Sequence, residues 1–392
     1  MSRSLSLFAG LLTLIAALGL GAYWLTGDDA DAFEASVSVA DAMSGDTTGY
    51  RRAETVRTFQ FPEDHGPHPG FKNEWWYVTG TLRGENGTPY GYELTIFRSA
   101  LTPPSDSSQD LVATTGSGRR TDQFYMAHFA LTDGGREVFR SAERFARGGA
   151  GLAGAQADPF RVWLEDWSMR SVGAETFPVR LRAQDRDMAI DLRITPEKPK
   201  VLQGDRGLSQ KGPGSGNASY YYSYTRLATE GIVVSGGDSV RVEGSSWLDR
   251  EWSTSALGPD QEGWDWFALQ LDDGRDLMYY QLRNDDGSAS RFSEGVLVGP
   301  DGESQPIERS DVSLEVLDTW TTPDGRRTYP VAWRLRVPGE DLDLRVDALL
   351  PDQELDVSVR YWEGAVRVEG SAAGRGYVEL TGYGDGPAAP TS

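Results

Sequence analysis

The chain has 392 residues, no cysteine, and a formal net charge of −21 from 38 basic and 59 acidic side chains. Without cysteine, disulfide frameworks, thiolate metal sites and thiol nucleophiles are excluded. Without a basic stripe to neutralise phosphates, the acidic balance also argues against a nucleic-acid partner. The length allows two domains with a core each, and 46 Gly with 12 Trp suit short strands joined by tight turns.

At the N-terminus, Arg3 precedes an uncharged, Leu- and Ala-rich run from Ser4 to Gly27, long enough to span a bilayer. Arg3 before the run and Asp28, Asp29 and Asp31 after it orient its start towards the cytoplasm. Residues 1–27 therefore read as a signal anchor or, with cleavage near Ala30-Asp31-Ala32, as a signal peptide. Either reading predicts an exported protein, held on the periplasmic side of the inner membrane or secreted. Residues 28–55 are acidic, rich in Ala and Ser and without period, which predicts a flexible tether.

Next comes Phe61-Pro62-Glu63-Asp64-His65-Gly66-Pro67-His68. Two His with nearby carboxylates are a metal-ligating pattern, but Gly66 and Pro67 put the pair on a turn of unfixed geometry. A structural turn plugging one end of a barrel is the preferred reading, with no metal.

Beyond it the chain repeats itself. Trp75-Trp76-Tyr77-Val78-Thr79-Gly80-Thr81-Leu82, a turn, and Tyr90–Arg98 form a Trp-led hairpin that returns as Trp264-Asp265-Trp266-Phe267-Ala268-Leu269-Gln270-Leu271, a turn, and Asp276–Arg283. Phe124–Leu131 returns as Gly295–Val298, and Asp166-Trp167 with Phe177–Arg182 as Asp318–Trp320 with Tyr329–Arg336. Trp247–Trp252 returns as Tyr377–Tyr383. Segments such as Ala189–Ile194 alternate apolar with polar, the period of half-buried antiparallel strands, and no window has an amphipathic helical pattern.

These observations predict an all-β chain of two antiparallel barrels, one over 56–255 and one over 256–385. Barrels are preferred to sandwiches because closure removes exposed edges. Gly-rich stretches at about 100–120 and 196–219 are expected as long loops, either lining a barrel mouth or without order.

Trp247-Leu248-Asp249-Arg250-Glu251-Trp252 is the best candidate for chemistry. On a strand Trp247, Asp249 and Glu251 share one face and Leu248, Arg250 and Trp252 the other. If the first face enters the barrel, burial raises the carboxyl pKa values and provides a general acid for an uncharged substrate. The opposite register leaves Asp249 in water, and the counterpart Glu379 in the second unit points to a structural role shared by both. His128, at an apolar strand position, reads as a hydrogen-bonded interior residue. Gly212-Pro213-Gly214-Ser215-Gly216 has no following helix and so is no nucleophile elbow.

Taken together, Phe61-Pro62 with Asp64-His65-Gly66 and His68-Pro69, Glu74–Gly80, Tyr221-Tyr222-Ser223 with Thr225-Arg226-Leu227, Trp247 with Asp249 and Glu251-Trp252-Ser253, and Gly263–Phe267 resemble the AttH-like lipocalin-like proteins. That family is grouped with carotenoid 1,2-hydratases and secreted hydrolases. The resemblance runs from about 55 to 385 and implies tandem lipocalin-like β-barrels. In the hydratase branch an Asp protonates a terminal double bond of a polyene before water adds. By motif Asp249 is that acid and Trp247 the neighbouring aromatic. Glu251 stands where that branch has Asn, and Arg250 where His is expected.

The expectation is an exported, membrane-tethered lipocalin-like protein that binds an apolar small molecule, a lipid or isoprenoid. The second reading is a cofactor-free hydratase or hydrolase acting on such a molecule, and the third an accessory protein of an envelope ABC transporter. Asp249 and Glu251 are the candidate acids. Trp247, Trp76, Tyr221, Tyr222, Trp264, Trp266 and His128 are the candidate ligand wall.

Overall fold

The computed structural model describes residues 46–104, 122–255, 257–258 and 260–384. The anchor expected at 1–27, the first part of the tether and most of the loop near 100–120 lie outside them. No helix of the described residues is long and apolar enough to cross a membrane.

Among the described residues, twenty-three strands and three single 3-10 turns make an all-β molecule of two barrels. The first comprises β1 (Asn73–Gly84), β2 (Pro89–Ala100), β3 (Gln123–Asp133), β4 (Val138–Arg147), β5 (Ala153–Gln156), β6 (Arg161–Leu164), β7 (Trp167–Ser171), β8 (Val179–Asp185) and β9 (Met188–Pro196), then the short β10 (Val201–Leu202) and β11 (Leu208–Gln210). Two long strands, β12 (Ala218–Ser235) and β13 (Asp238–Ser253), complete it. The second comprises β14 (Gln261–Leu271), β15 (Asp276–Asn284), β16 (Glu294–Val298), β17 (Ser304–Glu308), β18 (Ser313–Thr321), β19 (Thr328–Val337), β20 (Leu342–Ala348), β21 (Glu354–Leu355), β22 (Tyr361–Gly370) and β23 (Gly374–Leu380).

The sequence repeat becomes a repeat of topology. In the first sheet β2-β1-β13-β12 are neighbours, so the opening hairpin pairs with the closing one; in the second, β15-β14-β23-β22 do the same. All pairings are antiparallel. The registers Tyr77↔Asp249 and Trp266↔Glu379 put Asp249 and Glu379 at equivalent positions. The same reasoning equates Tyr221 and Ser223 of β12 with Tyr361 and Glu363 of β22.

Period-two alternation sends Trp76, Val78, Leu248, Trp252, Tyr222 and Tyr224 into the first barrel's core. Phe267, Leu269, Trp333, Trp362 and Val378 fill the second. The opposite faces of β1, β2, β12 and β13 are not left to water. They pack on the outer face of the second barrel, where Tyr77, Tyr221 and Trp247 meet Trp266, Tyr280 and Tyr377 in a third apolar cluster. The contact is roughly two-fold. The Tyr77 hydroxyl on β1 donates to Glu363 Oε2 on β22 at 2.8 Å, and the Trp266 indole on β14, its counterpart, donates to the Tyr221 hydroxyl on β12 at 3.3 Å.

Within the span read as tether, Tyr50 to Ala53 are docked. The Tyr50 hydroxyl donates to the Ala100 carbonyl at 2.8 Å, Arg51 N–H to Gly70 O at 2.8 Å, and Ala53 is buried in the first core. The stretch 196–219 is ordered, because β10 and β11 pair with β12.

Candidate functional site

Two carboxyl groups on the paired strands β1 and β13 are buried on opposite faces and have opposite fates. On the inner face, Glu74 bonds the guanidinium groups of Arg98 and Arg250, and the backbone N–H of His68 donates to both its oxygens at 3.0 Å. Burial alone would raise its pKa, but Arg98, Arg250 and His68 together hold it well below the carboxylate range. Arg250 also lies 3.9 Å over the Trp76 ring, and the His68 ring stacks on Trp252 at 3.8 Å. His65 is buried too, with Nδ1 2.6 Å from the Tyr222 hydroxyl, and burial with nearby Arg250 and Lys200 pushes its pKa down to about 4. The histidine turn thus packs into the first barrel beside Phe61, Phe160 and Phe177. No cluster of three ligating side chains suited to a metal occurs among the described residues.

On the outer face, Asp249 is buried between the barrels and has only neutral partners. It accepts hydrogen bonds from the Tyr221 hydroxyl, from Ser223 Oγ at 2.5 Å and from Trp247 Nε1 at 2.7 Å. Burial raises its pKa to about 7, against the pull of these three donors, and Glu251 adds to the rise. The same donors are placed to stabilise the carboxylate once the proton leaves, which is what a general acid needs.

Asp249 opens on a cavity of about 110 Å³ lying between the barrels. Its buried floor and walls are Tyr77, Tyr221, Trp266, Tyr280 and Tyr361, with half-buried Glu379 among them. Half-buried Trp75, Phe97, Lys211, Leu257 and Trp264 form the rim. Lys211 Nζ sits 3.7 Å from Glu251 Oε1 and 3.8 Å above the Tyr280 ring, so the Gly-rich stretch after β9 does contribute a wall.

Of the sequence candidates, Asp249, Glu251, Tyr221, Trp264 and Trp266 line this cavity, and Trp247 supports it through Asp249. The chamber is not the barrel lumen that the inward register supposed, and Asp249 is not in water as the other register supposed. The second barrel covers it. Trp76 and Tyr222 point instead into the first barrel's core, on the opposite face of their strands from the cavity. His128 is buried with Nδ1 2.5 Å from the Tyr361 hydroxyl, behind one wall, and burial lowers its pKa to about 3.

Sequence reading missed Tyr77, Phe97, Ser223, Tyr280 and Tyr361 as parts of the site and gave Glu379 only a structural role. The signal for Tyr77 was present, since it shares a face with Trp75 one strand away from Asp249. Glu379 accepts from Trp264 Nε1 at 3.0 Å; burial, then Asp249 and Glu251, raise its pKa to about 7 against that bond. Behind it, Glu363 and Glu93 are fully buried, and burial pushes both far above the carboxylate range. Both Glu93 oxygens and Glu363 Oε1 lack a hydrogen-bond partner.

Comparison with known proteins agrees with this architecture. The AttH-like family model matches residues 52–383. An AttH protein of Nitrosomonas europaea is 35% identical, with a TM-score of 0.74 over 85% of this chain and 99% of its own. Kievitone hydratase of Nectria haematococca shares the fold at 15% identity, with a TM-score of 0.62 over 85% of this chain and 96% of its own. No curated protein matches the sequence.

Proposed function

The chain belongs to the AttH-like family, and from that premise we propose that it is a hydratase-type lipocalin-like protein that adds water across a double bond of an apolar ligand, with Asp249 as the proton donor. The observation that carries this reading is a buried aspartic acid opening on an aromatic cavity, its pKa pushed up to about 7 by that burial. Such walls favour a neutral, apolar ligand, and the low polarity that keeps the proton on Asp249 would also repel an anion.

The chemistry balances without a cofactor. Asp249 gives its proton to one alkene carbon, and the positive charge formed on the other is faced by the rings of Trp266, Tyr77 and Tyr221, whose π-faces attract cations. Water attacks that carbon and its surplus proton passes to a carboxylate of the cavity, leaving an alcohol. Ser223, Tyr221 and Trp247 hold the aspartate while it is charged. We place the protein in the cell envelope, where a run such as 1–27 would hold the cavity near a membrane store of apolar molecules.

The test is to incubate the protein with an apolar extract of its native host in ¹⁸O-water and look by mass spectrometry for a compound that gains one labelled water. Wild type is expected to label one such compound, and Asp249→Asn to do so about 10²- to 10⁴-fold more slowly. An extract left unlabelled by wild type sinks the hydration reading. Equal rates for the two proteins remove Asp249 from the role of acid.

A further inference from the structure

The cavity has two walls, and each brings its own carboxyl group. Asp249 stands on β13 of the first barrel and Glu379 on β23 of the second, at equivalent positions of the repeat. Each carboxyl accepts from an indole N–H of its own barrel, Asp249 from Trp247 at 2.7 Å and Glu379 from Trp264 at 3.0 Å. Their surroundings then differ. Asp249 has Ser223 beside it in register, whereas the equivalent neighbour of Glu379 is a second carboxyl, Glu363.

We propose that Glu379 is a second catalytic residue of this cavity, the general base that takes the proton from the attacking water while Asp249 protonates the ligand from the other wall. The inference rests on the hydration reading above. In the productive state Asp249 carries a proton and Glu379 does not. A proton leaves Asp249 for carbon, water forms the C–O bond, and its proton goes to Glu379. Transfer of that proton from Glu379 back to Asp249 resets the site, and ligand plus water has become alcohol.

The groups facing Glu379 explain how the pair shares one proton near neutral pH. Asp249 and Glu251 face it from β13, Glu363 and Tyr361 from β22, Glu93 from β2 and Tyr77 from β1, with Lys211 at the rim. The buried carboxyls disfavour a second negative charge, so losing the proton from either member makes it harder to lose from the other. Because the acid and the base stand on different barrels, hydrogen and hydroxyl should arrive on opposite faces of the double bond.

Two measurements test this. In the labelling assay, Glu379→Gln is expected to lower kcat about 10²- to 10⁴-fold with little change in KM, and to remove the acid limb of the pH–rate profile, which reports the base. Glu379→Asp should restore part of the rate. If wild type labels nothing, the hydration reading falls and this inference with it. If wild type labels, Asp249→Asn fails and Glu379→Gln keeps both wild-type kcat and the acid limb, only this inference is overturned. The second measurement needs no ligand: carboxyl ¹³C chemical shifts followed against pH in the full-length protein. Asp249→Asn should lower the pKa of Glu379, and a Glu379 titration unmoved by that substitution refutes the shared proton.

Discussion

Glu74 and Asp249 sit on adjacent strands, both buried, one on each face of the same two-stranded ladder. Glu74 faces two guanidinium groups, which hold its pKa down; Asp249 faces a hydroxyl pair and an indole, and its pKa is pushed up to about 7. Burial pushes both pKa values upward, so depth does not separate them. The charge of the partners does. A buried carboxylate ringed by cations is a structural tie, and a buried carboxyl ringed by neutral donors is a store for one proton.

The sharpest way to break this contrast is Glu74→Gln. It leaves Arg98 and Arg250 buried without their counter-charge and should cost about 3–5 kcal/mol in urea unfolding, since losing one partner strands the other. Asp249→Asn strands no charge and should cost far less. Equal losses for the two would show that the tie and the store are not distinct.

The pH dependence of stability should separate them next. With its folded pKa raised to about 7, Asp249 holds a proton that the unfolded chain releases near the ordinary aspartate value of 3.8. Its contribution is therefore fully present below that lower value and is lost as pH rises through about 7, to the extent of roughly 4 kcal/mol. Glu74, whose pKa is depressed, works the other way: its stabilisation is present above the ordinary carboxylate range and is lost as pH falls. Asp249→Asn should accordingly gain on wild type between pH 4 and pH 7.5, in urea midpoints measured across that range. Parallel curves would mean that Asp249 is ionised in the folded protein.

The smallest effect sharpens the site itself. Ser223→Ala removes one of three donors to Asp249, a bond worth about 1 kcal/mol. The pKa of Asp249 should rise by up to about one unit in a carboxyl NMR titration, because the donor favours the charged form. A fall would place the Ser223 hydroxyl as an acceptor from a protonated Asp249.

Much of this molecule was legible as sequence. Four echoes in the same order, from the Trp75 hairpin to Trp247–Trp252, specify the tandem barrels, since an ordered repeat of Trp-led hairpins leaves few other architectures. Alternation also sorted Trp247, Asp249 and Glu251 from Leu248, Arg250 and Trp252. It could not say which set points inward, because a period of two defines faces and not what covers them. Inside and outside are the two environments a single sheet offers, and the candidate site residues occupy a third, the seam between two sheets. Tyr361 and Glu379 became site residues only when the second barrel docked, a contact between distant segments with no local pattern. The docking of the last part of the tether span is hidden for a similar reason: Tyr50 and Ala53 are held by what they touch and not by their neighbours in sequence.

The two-fold character of that seam has one more consequence. Two identical subunits meeting through this face would carry the same side chain at both equivalent positions, and any substitution would occur twice. Joining the copies in one chain lifts that constraint. Asp249 beside Ser223 and Glu379 beside Glu363 are the same place in two versions, and division of labour between them is open to this molecule as it is not to a symmetric pair.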